Sequence, residues 1–443
     1  MKPFRVRWHS GLLAALLLAA FARLVLGAPD DENWDATFGV PGVLAPGNPR
    51  VYAICVMGKD VYVAGLFSQI GGLSTTNIAR WDGTNWHGLG PGLGSLADER
   101  GVSTLLAAQG QLYAGGFFTN AGNAPIAWLA KWDGREWALI GPVNGPVRAL
   151  ASDGSNLYVG GAFTAIGGIT ASNVARWDGS NWSPLGDGVH RWQTGIVGGP
   201  TDLGQVFALA VRGGEVFVGG EFEIAGTLKA TNIARWNGTG WSPVDGALFL
   251  VRSLVGDAAC VYAGTDAGIR CWDGIGWRNP GGGVSAPGYV TALVRSGADL
   301  YVGGQFSLAG GVPAMGIAKW DGARWSALGS GLENPGQLGA AATVLAATGS
   351  ELFVGGIFTV AGGKPATNIA RWRIPHALKI NRASNDALLS WPATGSNLAL
   401  ESTACLGSIG WSNVPNPVAI HERECLVTNE ISGFSRVYRL WGR

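Results

Sequence analysis

The chain of 443 residues is poor in charge, in histidine and in cysteine. Lys and Arg number 31, Asp and Glu 30, and charged residues make up only 14%, for a formal net charge of +1. So even a balance gives no basic stripe for nucleic acid and no field to draw an anionic membrane surface. The five histidines are His9, His87, His190, His376 and His421, and no two have metal-ligand spacing. "HEREC" at His421 lacks the second histidine of a zincin helix. There is no G-x-S-x-G elbow and no D-x-D-x-D-G calcium loop. The sequence therefore singles out no catalytic residue, no metal ligand and no cofactor. Past the first 28 residues no apolar run is long enough to span a bilayer.

Residues 1–28 read as a signal peptide. Lys2, Arg5 and Arg7 form the positive end, "GLLAALLLAAFARLVLG" the apolar stretch, and Gly27 and Ala28 the small residues before a cut. The alternative is a membrane anchor, against which stands the interruption by Arg23. The expectation is an exported protein, secreted or at the cell surface, with no transmembrane segment in the mature chain. Export permits disulfides, and five cysteines leave at least one unpaired.

What the chain has in excess is glycine, 72 residues against a usual share of about 7%. It also has 20 tryptophans, and these are ordered. "NIARWDGTNW" at 77–86 returns as "NVARWDGSNW" at 173–182, "NIARWNGTGW" at 232–241 and "GIAKWDGARW" at 316–325. The pairs are Trp81 and Trp86, Trp132 and Trp137, Trp177 and Trp182, Trp236 and Trp241, Trp272 and Trp277, Trp320 and Trp325. Trp372 has no second member after it; "DDENWDATFGVPG" at the other end supplies Trp34. First tryptophans at 81, 132, 177, 236, 272, 320 and 372 are 51, 45, 59, 36, 48 and 52 residues apart. A strand-rich, glycine-rich period near 50 points to propeller blades rather than helical solenoids.

Each unit contains four strand signals, for example "VYAICVMG", "DVYVAGLF", "NIARW" and "NWHGLG", with Asp-Gly hairpin loops between the last two. The second recurs as "LYVGGAF", "VFVGGEF" and "LYVGGQF". Glycine inside a strand implies close packing there, and a neighbouring tryptophan ring is the expected partner. The expected fold is all-β, a seven-bladed propeller over 29–373. Its blades lie near 51–101, 102–145, 146–205, 206–247, 248–288, 289–340 and 341–373, with a closing strand at 33–45. A pattern repeated this often makes the tryptophans structural, though an individual exposed copy can still stack on a sugar.

The "YVGG" strand and the W-x4-W hairpin resemble kelch-type repeats. They are also similar to the Gly- and Trp-rich repeats of secreted bacterial proteins and of fungal cortical cell-polarity markers. The resemblance covers 51–373 with 33–45 and implies a propeller of the galactose-oxidase-like superfamily. It implies nothing definite about activity, since such propellers serve binding and catalysis alike. The copper site of galactose-oxidase-like enzymes is not matched: the propeller offers only His87 and His190, which the strand order puts on opposite faces.

The fifth unit, "CVYAGTDAGIRCWDGIGW", lacks the "FTxxGG" loop. Cys260 and Cys271 stand where other units have a polar pair such as Asp60 with Arg80 or Glu215 with Arg235. They read as a cross-strand disulfide in place of that pair, the alternative being two thiols. Cys55 lies in an inner strand and reads as a buried thiol. Residues 376–443 hold short alternating strands and read as a small β-sandwich of the immunoglobulin or fibronectin III type. They resemble C-terminal β domains of secreted bacterial proteins. Cys405 and Cys425 can bridge two of its strands or remain free.

Loops from second to third strand and from fourth strand to the next unit share one face. The longest insertion there, 189–205, carries His190, Arg191, Trp192 and Asp202. "SLADERG" adds Asp98, Glu99 and Arg100, and "LENPGQ" adds Glu333 and Asn334. These are the candidate binding residues, since recognition concentrates on loops held by a rigid scaffold; for any single one the plain alternative is a solvated loop. The expectation is a non-enzymatic module recognising a glycan or surface protein. An extracellular carbohydrate-active enzyme with a carboxylate site on the same face is the rival, and a purely architectural role the third reading.

Overall fold

The structure is a computed structural model. It describes residues 28 and 30–443 apart from 96–100, 193–199, 202–203, 245, 247, 286–287, 336–338, 376–378, 384–385, 393–397, 404–411, 415–418, 422–423, 431–436 and 443. The expected signal peptide, Asp98, Glu99, Arg100, Asp202 and Cys405 therefore lie outside the described residues, as do the side chains of Trp192 and Cys425.

The chain divides into two units, 1–346 with 353–372, and 347–352 with 373–443. The first is built from antiparallel meanders. In the first sheet Arg50–Met57, Asp60–Leu66, Ile78–Trp81 and Trp86–Gly88 pair in chain order. Five more four-stranded sheets repeat this order, beginning with Val102–Ala108, Val147–Ser152, Gln205–Arg212, Val251–Gly256 and Tyr289–Ser296. A seventh, beginning with Ala341–Ala347, has three strands. Successive first strands lie side by side through the sixth sheet. Thr291 Oγ1 then donates to the Ala342 carbonyl (2.6 Å), and Thr343 Oγ1 to that of Val51 (2.7 Å). The last sheet thus meets the first, as in a β-propeller.

The N-terminal segment fastens that junction. Trp34 bridges to Trp372 antiparallel, their rings 5.1 Å apart, and its indole N–H donates to the Leu328 carbonyl (3.0 Å). Asp35 pairs with Arg371 (Nε to Oδ2 3.2 Å), and Phe38 packs on Trp81, Trp86 and Phe353. Burial would raise the Asp35 carboxyl, but the Arg371 guanidinium and the Thr37 and Phe38 amides outweigh it and hold it well below the usual carboxylate range.

The tryptophans answer to the same logic. In five sheets the two rings of the pair lie 5.2–5.4 Å apart. The second ring reaches back to the preceding sheet: Trp137, Trp182, Trp241 and Trp325 donate to the carbonyls of Leu89, Ile140, Leu185 and Pro280. Each aspartate of the Asp-Gly loops accepts the amides two and three residues on, as Asp82 does from Thr84 and Asn85 at 2.8 Å. Asn237 does the same, so the loop needs an acceptor, not a charge.

The expected tryptophan partner of the strand glycines is not what the structure shows. A Cβ on the first glycine of the pair would meet a side chain of the next sheet's inner strand: Val147 for Gly115, Val206 for Gly160, Val251 for Gly219. A Cβ on the second would strike that sheet's own inner backbone, as Gly65 would strike the Arg50 carbonyl at 2.0 Å. The tryptophan lies instead over the glycines of the loop beyond, Trp86 on Gly71 and Trp182 on Gly167. Alternation along a strand cannot tell these two glycine sets apart; only the packing does.

Asn77, Asn173, Asn232 and Asn368 adopt left-handed backbone, φ 61° to 68°, which asparagine tolerates better than most residues. Their amides donate to the carbonyls of Leu93, Val189, Leu248 and Pro49, tying each second-to-third loop to a connecting segment. The recurrent asparagine is thus a clamp.

Cys260 and Cys271 form the disulfide. In register it stands where Asp60 pairs with Arg80 (3.0 Å), Glu215 with Arg235 (3.0 Å) and Asp299 with Lys319 (3.3 Å). Cys55 is only half-buried, against the fully buried thiol expected, because it sits near the C-terminal end of its strand; burial still pushes its thiol up to about 11.

In the second unit Lys379–Ala383, Asp386–Pro392, Glu424–Glu430 and Ala419–His421 form one antiparallel sheet. Ser412–Asn413, Leu398–Thr403 and Val437–Gly442 form another. Leu389 and Val427, cross-strand partners, are buried in the first sheet and Leu400 in the second.

Candidate binding site

Six of the inner strands share a short pattern near their start and break register inside it. The first reads Val51-Tyr52-Ala53, and the pairing skips from Val51 to Ala53. The same skip occurs at Ser103, Arg148, Phe207, Arg252 and Thr291. A bulge puts two residues opposite one and turns the extra side chain out of the ladder. The extra side chains converge. Together with Thr343 they line a central cavity of about 710 Å³. Valine before and a small residue after the bulge are packing positions of the repeat; the residue between them is free to vary, and it does.

Arg148 and Arg252 bring positive charge to this cavity, and among the described residues no Asp or Glu lines it. The Arg148 guanidinium lies between two phenyl rings, 4.8 Å from the centre of Phe117 and 5.2 Å from that of Phe207. Stacking of this kind holds the plane and aims its N–H groups along it. Arg252 pairs with Asp266 (Nη2 to Oδ2 3.2 Å) and lies 5.9 Å from the Tyr289 ring.

The register puts these strand ends on the face where second strands lead into third. There most sheets carry a small extra hairpin, such as Gln69–Ile70 with Leu73–Ser74 or Ile224–Ala225 with Leu228–Lys229. The fifth sheet has none: Thr265 pairs directly with Gly268, its hydroxyl closing the turn on the Gly268 carbonyl (2.9 Å). Arg252, Phe249 (63% exposed) and Tyr289 (37%) are uncovered beside this low point.

The sequence-derived candidates fall elsewhere. His190 pairs with Ile224 and its ring contacts the Asp187 carbonyl (2.7 Å); the exposed Arg191 binds Glu221 (2.6 Å). Glu333 pairs with Val360 and is exposed, and Asn334 accepts from Thr359 (3.4 Å). His190 and Glu333 hold equivalent positions on connectors of different sheets, so they are not brought together. The cavity residues escaped notice because no one of them sits in a motif. The signal that marks six of them is the variable residue in V-x-A/S/T, repeated along the chain; Thr343 follows Ala342 instead. His87 is in the hairpin region, contacting Asp82 (2.7 Å). Among the described residues no His, Cys, Asp or Glu cluster is arranged to hold a metal ion, and no helix is long and apolar enough to cross a membrane.

No family model matches the chain, and no curated protein matches it. Among solved structures, it is similar to the extracellular domain of a hybrid two-component system from B. thetaiotaomicron. That match has 12% identity and a TM-score of 0.48, covering 85% of this chain and 46% of that one. The chain thus spans less than half of that domain's length. It is also similar to the WD40 β-propeller domain of Doa1 (12% identity, TM-score 0.46, 77% and 97% covered). At such values the fold rests on the chain's own sheets: repeated antiparallel meanders with inner strands side by side, a β-propeller.

Proposed function

We propose that the protein is an exported seven-bladed β-propeller, closed by the segment around Trp34 and followed by a C-terminal β-sandwich at 376–443. It acts as a non-enzymatic recognition module for a glycan or surface protein. The observation that carries this reading is the cavity at the ring's centre, whose lining includes the variable bulge side chains Tyr52, Ser103, Arg148, Phe207, Arg252 and Thr291. Its guanidiniums and aromatic rings suit ligand binding, and among the described residues its lining has no carboxylate pair of the kind glycoside cleavage needs. The Cys260–Cys271 bridge fits an oxidising compartment. On this reading the candidate binding residues are His190, Arg191, Glu333 and Asn334 on the connectors, with Trp192, Asp202, Asp98, Glu99 and Arg100 proposed to join them.

The test is a binding screen of the full chain against polysaccharides and surface extracts, beside a variant with 189–205 shortened, each hit assayed for release of reducing sugar. Binding weakened in the variant without product supports the reading. Product release overturns it in favour of an enzyme. No binding to any probe leaves only an architectural role.

A further inference from the structure

We propose that the low rim of the fifth sheet is a docking slot for an extended strand of a partner protein, one that carries isoleucine or alanine followed by glycine. The slot lies where the six other sheets hold a small hairpin. It goes beyond the recognition reading, which rests on the cavity. Leu248, Phe249 and Trp277 do not line that cavity, so either proposal can fail alone.

The six filled slots define what fits. The first strand of the hairpin pairs with the connector beside it, as Gln69 with Leu44, Ile224 with His190 and Val360 with Glu333. The carbonyls of Leu44, His190 and Glu333 accept the amides of Ser68, Glu223 and Thr359 (2.9–3.0 Å), and the Ser285 amide donates to the Leu308 carbonyl (2.9 Å). The next hairpin residue is Ile70, Ala121, Ile166, Ala225, Ala309 or Ala361; each is buried, and a glycine follows each. The second tryptophan demands that glycine. A Cβ on Gly71, Gly167, Gly310 or Gly362 would fall 2.0–2.3 Å from the ring of Trp86, Trp182, Trp325 or Trp34.

The fifth sheet keeps the walls and lacks the filling. Asn232 clamps Leu248 as Asn173 clamps Val189, so Phe249 stands where His190 stands. Among the described residues nothing bonds to the Phe249 backbone, and its side chain is exposed. Thr265 turns straight into Gly268, so no hairpin glycine lies on Trp277. The buried Trp277 indole N–H has no partner, whereas those of Trp182, Trp241 and Trp325 each donate to a carbonyl. Leu228 and Leu308, on the hairpins of the fourth and sixth sheets, are exposed as well. An open backbone edge among apolar side chains is completed by another strand: main-chain bonds give affinity, and pockets for particular side chains give selectivity. Arg252 and Asp266 at the edge satisfy each other (3.2 Å), so the slot asks for no charge. A second copy of the chain has its hairpins already paired in place, so the strand comes from another protein.

The experiment is calorimetric titration of the full chain, to millimolar concentration, with a peptide of the third sheet's hairpin sequence, FTAIGGITAS (163–172). Two altered peptides run beside it, one with Ile166→Lys and one with Gly167→Val. The unaltered peptide is expected to bind with little dependence on salt, since the contacts are apolar and main-chain. Each altered peptide is expected to bind about tenfold more weakly or worse, through loss of the buried isoleucine or of the glycine under the ring. In the protein, Phe249→Pro removes the amide at the edge and is expected to lower affinity roughly several-fold. Lys59→Gln, on the exposed turn after the first inner strand, leaves it unchanged. A graft that replaces Asp266 and Ala267 with the sequence of 162–172 builds a hairpin into the slot and is expected to bind no peptide. If the graft fails to fold, Phe249→Pro decides. No binding of the unaltered peptide, equal binding of the altered ones, or undiminished binding in the protein variants would each overturn the proposal. So would self-association of the native chain that the graft abolishes, which assigns the slot to a second copy. A glycan that binds the native chain and the graft alike leaves the recognition reading standing whatever the peptide does.

Discussion

Replacing Trp34 by alanine tests how the ring is held closed. Trp34 is 1% exposed, touches Trp372 and the Gly362 backbone, and spends its one N–H on the Leu328 carbonyl. Truncating a buried tryptophan costs about 3–5 kcal/mol. Its hydrogen bond adds about 1 kcal/mol, and the Leu328 carbonyl is left to water or to nothing. The sum, about 4–6 kcal/mol, is a large part of the roughly 5–15 kcal/mol that a folded domain has to spare. Trp34→Phe separates the two contributions: the ring stays, the donor goes, and the cost falls to about 1–2 kcal/mol. Guanidinium denaturation followed by far-UV circular dichroism measures both, with Ile275→Ser, at a 90% exposed position, as the neutral reference. A midpoint for Trp34→Ala within error of the Ile275→Ser value would refute the reasoning. It would mean that the N-terminal segment rides on the last sheet without fastening it.

Other expectations follow from the same packing. Gly219→Ala sets a Cβ 2.4 Å from Val251 Cγ1 and is expected to cost about 1–3 kcal/mol, whereas Gly276→Ala, with open space around it, should be nearly neutral; thermal melts compare them. Reducing or deleting the Cys260–Cys271 bridge is expected to cost about 2–3 kcal/mol for so short a loop, and Cys260→Asp with Cys271→Arg should recover part of it by restoring the ion pair used in other sheets. Asp35 is held below its unfolded value of about 3.9, so its contribution is fully present above about pH 4 and is lost as pH falls toward the folded value. Denaturation midpoints of the native chain should therefore drop below about pH 4 more steeply than those of Asp35→Asn; parallel curves would remove the closing ion pair from the account.

Much of the architecture was written in the repeat itself. Trp81 with Trp86 and its copies mark the third and fourth strands, because a hairpin of fixed loop length puts the same two rings together each time. Cys260 and Cys271 could be read as partners because they replace, in register, a pair already recurring as Asp60 with Arg80. Such features depend on neighbours within one unit, and a linear pattern carries them.

The tertiary structure alone decided what crosses between units. Glycines of the "VGG" strand make room for the next sheet's valine and for a bulged backbone, not for tryptophan, and nothing in the alternation of that strand shows it. The candidate residues on loops, His190 and Glu333, proved to sit on separate connectors, each paired with its own hairpin. Tyr52, Ser103, Arg148, Phe207, Arg252, Thr291 and Thr343 are scattered over nearly 300 residues and belong to no motif, yet they share one cavity. A bulge reverses the face a side chain takes, and closing a ring brings strands distant in the chain to a common axis. Sequence periodicity specifies the strand; which residue leaves the ladder, and what it then meets, is fixed only when all the sheets stand around the same centre.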